Sequence, residues 1–152
     1  MYWQGKSQTD RNLRIKIEIN TFERSPALPL VKLTHGIHTN WFSGTALVDM
    51  FQNEEMAATK LRALYQRSKG RDLFDLWLLT NVIGIDPGLV CQAFSTYRPE
   101  GYSAQKAIEN LEKKIKDVKF MTDINNLTSV DQSNYHVEEA AAQIIEKYLI
   151  NL

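Results

Sequence analysis

The sequence predicts an α+β fold: a small N-terminal antiparallel or mixed sheet followed by a helical bundle. Three observations lead there. Residues 13–20, LRIKIEIN, alternate strictly, with Ile15, Ile17 and Ile19 on one side and Arg14, Lys16, Glu18 and Asn20 on the other. That period of two describes a half-buried strand. From Asn53 onward the apolar residues recur at helical spacing instead. Strand signals therefore come first and helix signals after, without the alternation of a parallel α/β chain.

The elements follow in order. RSPALP (24–29) interrupts the first strand. LVKLT (30–34) and HTNWF (38–42) predict shorter strands about a turn at HGIH (35–38), and TALVDMF (45–51) predicts another. Helices are expected over 53–68 and 71–83, separated at Lys69-Gly70. After the break at GIDPG, a third is expected over 87–97, with Pro87 in its first turn. RPEGY breaks again, and Ser103 can cap a helix of AQKAIENLEKKIKDV. Residues 121–135 read as loop, and HVEEAAAQIIEKYL (136–149) as a final amphipathic helix. The organisation expected is a strand-rich portion, 1–52, and a helical portion, 53–152, forming one compact unit.

Composition narrows the function classes. The chain has 152 residues, with 18 basic residues balancing 18 acidic ones, so no global field attracts nucleic acid or a membrane surface. The charge is unevenly spread: Lys60, Arg62, Arg67, Lys69 and Arg71 fall within twelve residues that hold no acid. A solvated helix face is the ordinary explanation of such a run. Cys91 is the only cysteine, which excludes an intrachain disulfide and fits a cytoplasmic location. No stretch approaches a membrane span, and the first residues lack the apolar core of a signal peptide.

The two helices from 53 to 83 hold the candidate chemistry. On a wheel of about 100° per residue with Met56 at zero, Lys60 falls near 40° and Arg67 near 20°. Leu64, Ala57 and Leu61 fall between about 80° and 140°, with Glu55, Thr59, Arg62 and Gln66 opposite. Lys60 and Arg67 are thus expected on the inward stripe, where an unpaired cation is costly. The second helix is apolar all round and predicted to be buried, with Asp72 and Asp75 its only acids. Two readings stand. In one, Asp72 caps the helix, Asp75 sits at its third position, and Arg71 or Lys60 completes a structural ion pair. In the other, Lys60 and Asp75 meet at a cleft and handle a charged ligand. Glu18 lies on the charged face of its strand, as a surface residue or as a carboxylate presented to a metal ion.

Other signals are weaker. His35 and His38 flank the expected turn, but two histidines without a third ligand rarely make a zinc site. His136 is expected at the start of the last helix, and Ser43-Gly44-Thr45 is too short for a phosphate loop. Asn126-Leu127-Thr128 matches a glycosylation acceptor, which has no consequence in a cytoplasmic chain.

KIEIN (16–20) and EEMAATKLRALYQRSKGRDLFDLWLL (54–79) together resemble the AbiEii group of nucleotidyltransferase-like toxins. These are the toxin halves of type IV toxin–antitoxin and abortive-infection systems. The matching features are the acid pair Glu54-Glu55, Lys60, Ala63-Leu64, Arg67, Arg71-Asp72 and Asp75-Leu76. The resemblance covers roughly residues 13–83, and the remainder is compatible with the helical C-terminal half of such proteins.

The resemblance implies a nucleotidyltransferase-like fold and transfer of a nucleotide from an NTP to an RNA acceptor such as a tRNA end. Such chemistry rests on positioning and charge neutralisation, with Mg2+ clamping the triphosphate. It implies Lys60 as the phosphate-binding cation and Asp75 as the residue that orients it or activates the acceptor. Lys16, Arg67 and Arg71 would contribute to nucleotide binding, and Glu18 would be the metal-side carboxylate. A cognate antitoxin is the implied partner. The family pattern also has a Gly-rich helix start and an Asp-x-Asp pair before the KIEIN strand. Here fifteen residues precede Lys16 and include one acid, Asp10. The expectation is therefore a partial nucleotidyltransferase-like fold, catalytically incomplete as this chain. The exposed edge of LRIKIEIN would invite a homodimer or a missing N-terminal partner chain. The alternatives are a non-catalytic antitoxin- or RNA-binding module that keeps the fold, and a purely structural helical domain with a Lys60–Asp75 core pair.

Overall fold

The computed structural model describes residues 2–6, 12–17, 25–125 and 134–152. It is α+β, with strands first and helices after. β1 (Tyr2–Lys6) pairs antiparallel with β2 (Asn12–Lys16), Tyr2 opposite Lys16 and Lys6 opposite Asn12. The sequence reading did not include β1, because YWQGK has no clean alternation. β1 covers one edge of β2, so the expected open strand is paired on that side. Glu18, Ile19 and Asn20 lie outside the described residues.

β3 (Val31–His38) and β4 (Ser43–Met50) form a second antiparallel pair. The turn expected at HGIH lies instead at Thr39–Phe42, and HTNWF is that turn rather than a strand. Thr39 sets it: its amide donates to the Phe42 carbonyl at 2.8 Å, and its hydroxyl accepts from the Phe42 amide at 3.0 Å. Gly36 continues the strand opposite Thr45, so His35 and His38 both belong to β3. Val31, Leu33, His35 and Ile37 share one face of the hairpin with Met50, Val48, Ala46 and Gly44. All eight residues of β3 are exposed.

Six α-helices, a π-helical turn and a short 3-10 helix over Leu149–Asn151 are the helical elements among the described residues. α1 (Asn53–Gln66) buries Ala57, Ala58, Leu61 and Leu64, chiefly against α3 (Pro87–Tyr97), which contributes Val90, Ala93, Phe94 and Tyr97. Alanine on both helices lets them approach closely. α2 spans Gly70–Leu78, shorter than the expected 71–83, and runs into a single π-helical turn over Leu79–Ile83. Gly84 closes that turn with φ of +79°, donating its amide to the Leu79 carbonyl at 3.0 Å.

Gly70 serves another purpose. A Cβ there would stand 2.0 Å from the Phe120 carbonyl oxygen, so only glycine lets α2 begin against α5 (Val118–Thr122). Asp86 caps α3 through the Gly88 amide at 2.7 Å, with Pro87 at its first position. Ser103 caps α4 (Ala104–Lys114), which ends before the expected Val118 because Asp117 caps α5 there. α6 (Val137–Lys147) closes the core with Ala140, Ala141 and Ile144, and Tyr148 beyond it is fully buried. His136 is at the N-cap of α6 but makes no side-chain cap.

Candidate functional site

The site grows from the border of one helix face. The buried arc of α1 runs from Leu64 through Ala57, Leu61 and Ala58 to Glu55. Lys60 and Arg67 therefore stand at its edge rather than inside it, with side chains 32% and 51% exposed. Glu55, expected outward, is fully buried. It accepts from the Ala27 amide at 2.7 Å, the Leu28 amide at 3.1 Å and the Tyr97 hydroxyl. The segment before β3 thus packs over a flank of α1 that a single-sided wheel assigns to solvent.

α2 brings two carboxylates to this edge, with burial opposite to expectation. Asp72 is fully buried, whereas the Asp75 side chain is 38% exposed. Asp72 does not cap the helix, since Lys69 holds the N-cap position and α2 begins at Gly70. Its carboxylate instead receives a two-pronged guanidinium: Arg67 Nε donates to Oδ2 at 2.7 Å and Arg67 Nη2 to Oδ1 at 2.8 Å. Lys60 Nζ lies between the acids, 3.4 Å from Asp72 Oδ1 and 2.5 Å from Asp75 Oδ2. Planar two-point pairing is the strong form of this interaction.

Electrostatics follow from the burial. Desolvation pushes the Asp72 carboxyl up, but the Arg67 hydrogen bonds and charge, with Lys60, outweigh it and hold it below the usual carboxylate value. The Asp72 hydrogen bond correspondingly raises Arg67 against the opposing effect of burial. A third cation lies behind them. Lys114 of α4 donates to the Leu64 carbonyl, to that of Tyr65 at 3.3 Å and to that of Arg67 at 2.9 Å, capping the end of α1. Burial lowers its ammonium, partly offset by Asp72. Beside Asp75, Tyr135 packs edge-on against Phe74 and Trp77, and burial, Asp75 and Glu138 raise its phenol.

Two grooves open on either side of Lys60 and share Phe51 and Thr59. One, of about 370 Å³, is also lined by Arg62, Gln66 and Arg67. The other, of about 440 Å³, is also lined by Met56, Leu78, Leu79 and Asp75. The arrangement can therefore meet a ligand with a polar, anionic end and a flat apolar end.

The remaining sequence candidates are placed elsewhere. Arg71 lines neither groove: its amide donates to Asp123 Oδ2 at 3.3 Å, and its guanidinium lies 4.0 Å from the same oxygen. Lys16 ends β2, outside the helical pair. Glu18 lies outside the described residues. Among the described residues no group of three or more His, Cys, Asp or Glu side chains could hold a metal ion, and Asp72 and Asp75 already pair with cations. This set does not fit Mg2+. Sequence reasoning missed Asp72 as the centre of the cluster and Phe51 as the wall common to both grooves. A usable signal existed for Asp72: two cations on one helix edge call for more than one carboxylate.

No helix among the described residues is long and apolar enough to cross a membrane. No curated protein and no solved structure matches the chain. A family description does match it, over residues 2–147: nucleotidyl transferase AbiEii toxin, type IV toxin–antitoxin system. That span takes in both strand pairs and all six α-helices among the described residues, including the β1 and α6 regions beyond the motif block, and it makes the chain a member of the AbiEii nucleotidyltransferase toxin family.

Proposed function

We propose that the chain binds a nucleoside triphosphate across Lys60, as a nucleotidyltransferase-type toxin whose acceptor is an RNA end. The observation that carries this reading is the position of Lys60 Nζ, held 2.5 Å from Asp75 where the two grooves adjoin. A flexible ammonium suits phosphate as a point charge. Asp75 and Asp72 orient it, and Arg67 neutralises the buried Asp72 so that the lysine is not wholly committed there. Lys60, Arg67, Asp72 and Asp75 sum to zero charge, and Arg62 adds a cation to the groove. Family membership implies a cognate antitoxin.

Transfer chemistry is expected to be weak in this chain alone. It contains no Asp-x-Asp pair, and binding as proposed does not require the Mg2+ that the resemblance implies. Calorimetry with each of the four NTPs, with and without magnesium, tests the binding. Micromolar to millimolar affinity that Lys60→Ala reduces at least tenfold is expected. No NTP binding, with Lys60→Ala as stable as the parent, would leave a module that keeps the fold for antitoxin or RNA contacts. Incubation with labelled NTP and tRNA tests transfer, where little incorporation is expected.

A further inference from the structure

We infer that the groove on the Asp75 side of Lys60 is the nucleobase and sugar pocket of the bound nucleotide, with Phe51 as its stacking wall. The inference rests on the triphosphate reading and fixes the direction in which the nucleotide lies. A nucleoside triphosphate has chemically unlike ends, a flat aromatic base and a polyanion. The two grooves are unlike in the same sense. Cations concentrate on one side, where Arg62 and Arg67 join Lys60. Carbon concentrates on the other, where Phe51, Met56, Leu78 and Leu79 supply the walls. The one carboxylate there, Asp75, would repel a phosphate and is compatible with a sugar hydroxyl or a base amino group, because an ionised carboxylate only accepts hydrogen bonds.

The polarity of the site therefore favours one orientation. Phosphates run along α1 toward Arg62, and the base turns toward the start of the π-helical turn at Leu79. Volume agrees, since about 440 Å³ lies in the range that holds a small ligand. Phe51 precedes α1, and its side chain is half-buried at the junction of the grooves, available as a flat surface for a base. Thr59 also borders both grooves, but its hydroxyl donates to the Met56 carbonyl at 2.8 Å. Stacking on an aromatic face is the main attraction the pocket can offer a base.

The test compares ATP with inorganic triphosphate by calorimetry, on the parent chain, Phe51→Ala, Phe51→Tyr and Arg62→Ala, each checked for its melt. Phe51→Ala is expected to weaken ATP at least tenfold and leave inorganic triphosphate within twofold. Phe51→Tyr should restore ATP binding, and Arg62→Ala should weaken both ligands. Photolabelling with 8-azido-ATP gives a readout that needs no variant, with label expected on peptides containing Phe51–Met56 or Leu78–Leu79. Equal binding of ATP by parent and Phe51→Ala, or label confined to other peptides, overturns the pocket while the triphosphate reading stands. Failure of the parent to bind either ligand overturns both.

Discussion

Two carboxylates are fully buried at the two ends of α1, and they are satisfied in opposite ways. Glu55, in the first turn, is held by neutral donors: two backbone amides and a phenol. Asp72, packed near the last turn, is held by cations, Arg67 at two points and Lys60 at 3.4 Å. The first arrangement joins three segments, the 27–28 stretch, α1 and α3. The second leaves half-exposed cations beside a groove. Neutral donors give a carboxylate a structural role without spending charge, whereas cation partners keep charge at the surface where a phosphate can reach it. The comparison separates the architectural end of the helix from its chemical end.

Removing the neutral-donor carboxylate should have the largest effect. Glu55→Ala leaves two amides and the Tyr97 hydroxyl without their acceptor in a closed environment, each costing about 1–3 kcal/mol. A loss of about 3–5 kcal/mol in urea unfolding is expected, unchanged by salt because no cation takes part. A loss under about 1 kcal/mol would mean that the 27–28 stretch separates from α1 at little cost.

At the other end, Arg67→Ala strips Asp72 of its main partner but leaves Lys60, so the expected loss is smaller, about 2–3 kcal/mol. This end also carries a pH signature. The Asp72 carboxyl sits below its ordinary value of 3.8 in the folded chain. Its contribution is present above that value and disappears as pH falls through the lower folded-state value. Asp72→Asn should flatten this acid limb of the stability curve. An unchanged limb in Asp72→Asn would assign acid sensitivity to other carboxylates.

The sequence made part of this contrast legible. Helical periodicity placed Lys60 and Arg67 on one side of α1, and the family block paired them with the acids of α2. It did not show which acid is buried. Residues near a helix start read as caps or dipole partners, whereas Lys69 holds the N-cap of α2 and the Asp72 carboxylate is taken up by Arg67 and Lys60 instead. Glu55 was misread for a related reason. A wheel assumes one packing partner, while α1 is covered by α3 and by the segment before β3. β1 had no alternation to reveal it, since its strand character comes from pairing with β2. Glycine misled twice: Gly36 sits within a strand, and Gly70 is required by a close approach rather than by a turn.

Lys114 acts at the Asp72 end of α1 and should give an intermediate effect. It satisfies three carbonyls at the end of α1 and offers a cation to the negative end of the helix. Lys114→Met keeps the stem and removes the donors, so a loss of about 1–2 kcal/mol at neutral pH is expected. Burial lowers the ammonium below its ordinary 10.5 in the folded chain. The unfolded chain therefore holds the proton more tightly, and stability should gain as pH rises from the folded-state value toward 10.5. Lys114→Met should lose that gain, and a variant retaining it would place the titrating group elsewhere.

The smallest effect belongs to an ion pair with better geometry than Lys60–Asp72. Lys32 and Asp49 meet at 2.7 Å across the β3–β4 pair, on side chains 62% and 56% exposed. Water screens both partners and each gives up side-chain freedom to hold the contact, so Lys32→Ala should change stability by less than about 0.5 kcal/mol. Thermal melts at low and high salt provide the measurement. If this variant cost as much as Arg67→Ala, contact distance rather than burial would govern the charged pairs of this chain. The contrast between the ends of α1 would then lose its physical basis. Burial predicts the opposite order: the longer Lys60–Asp72 contact, closed on the aspartate side, outweighs the shorter one in open solvent.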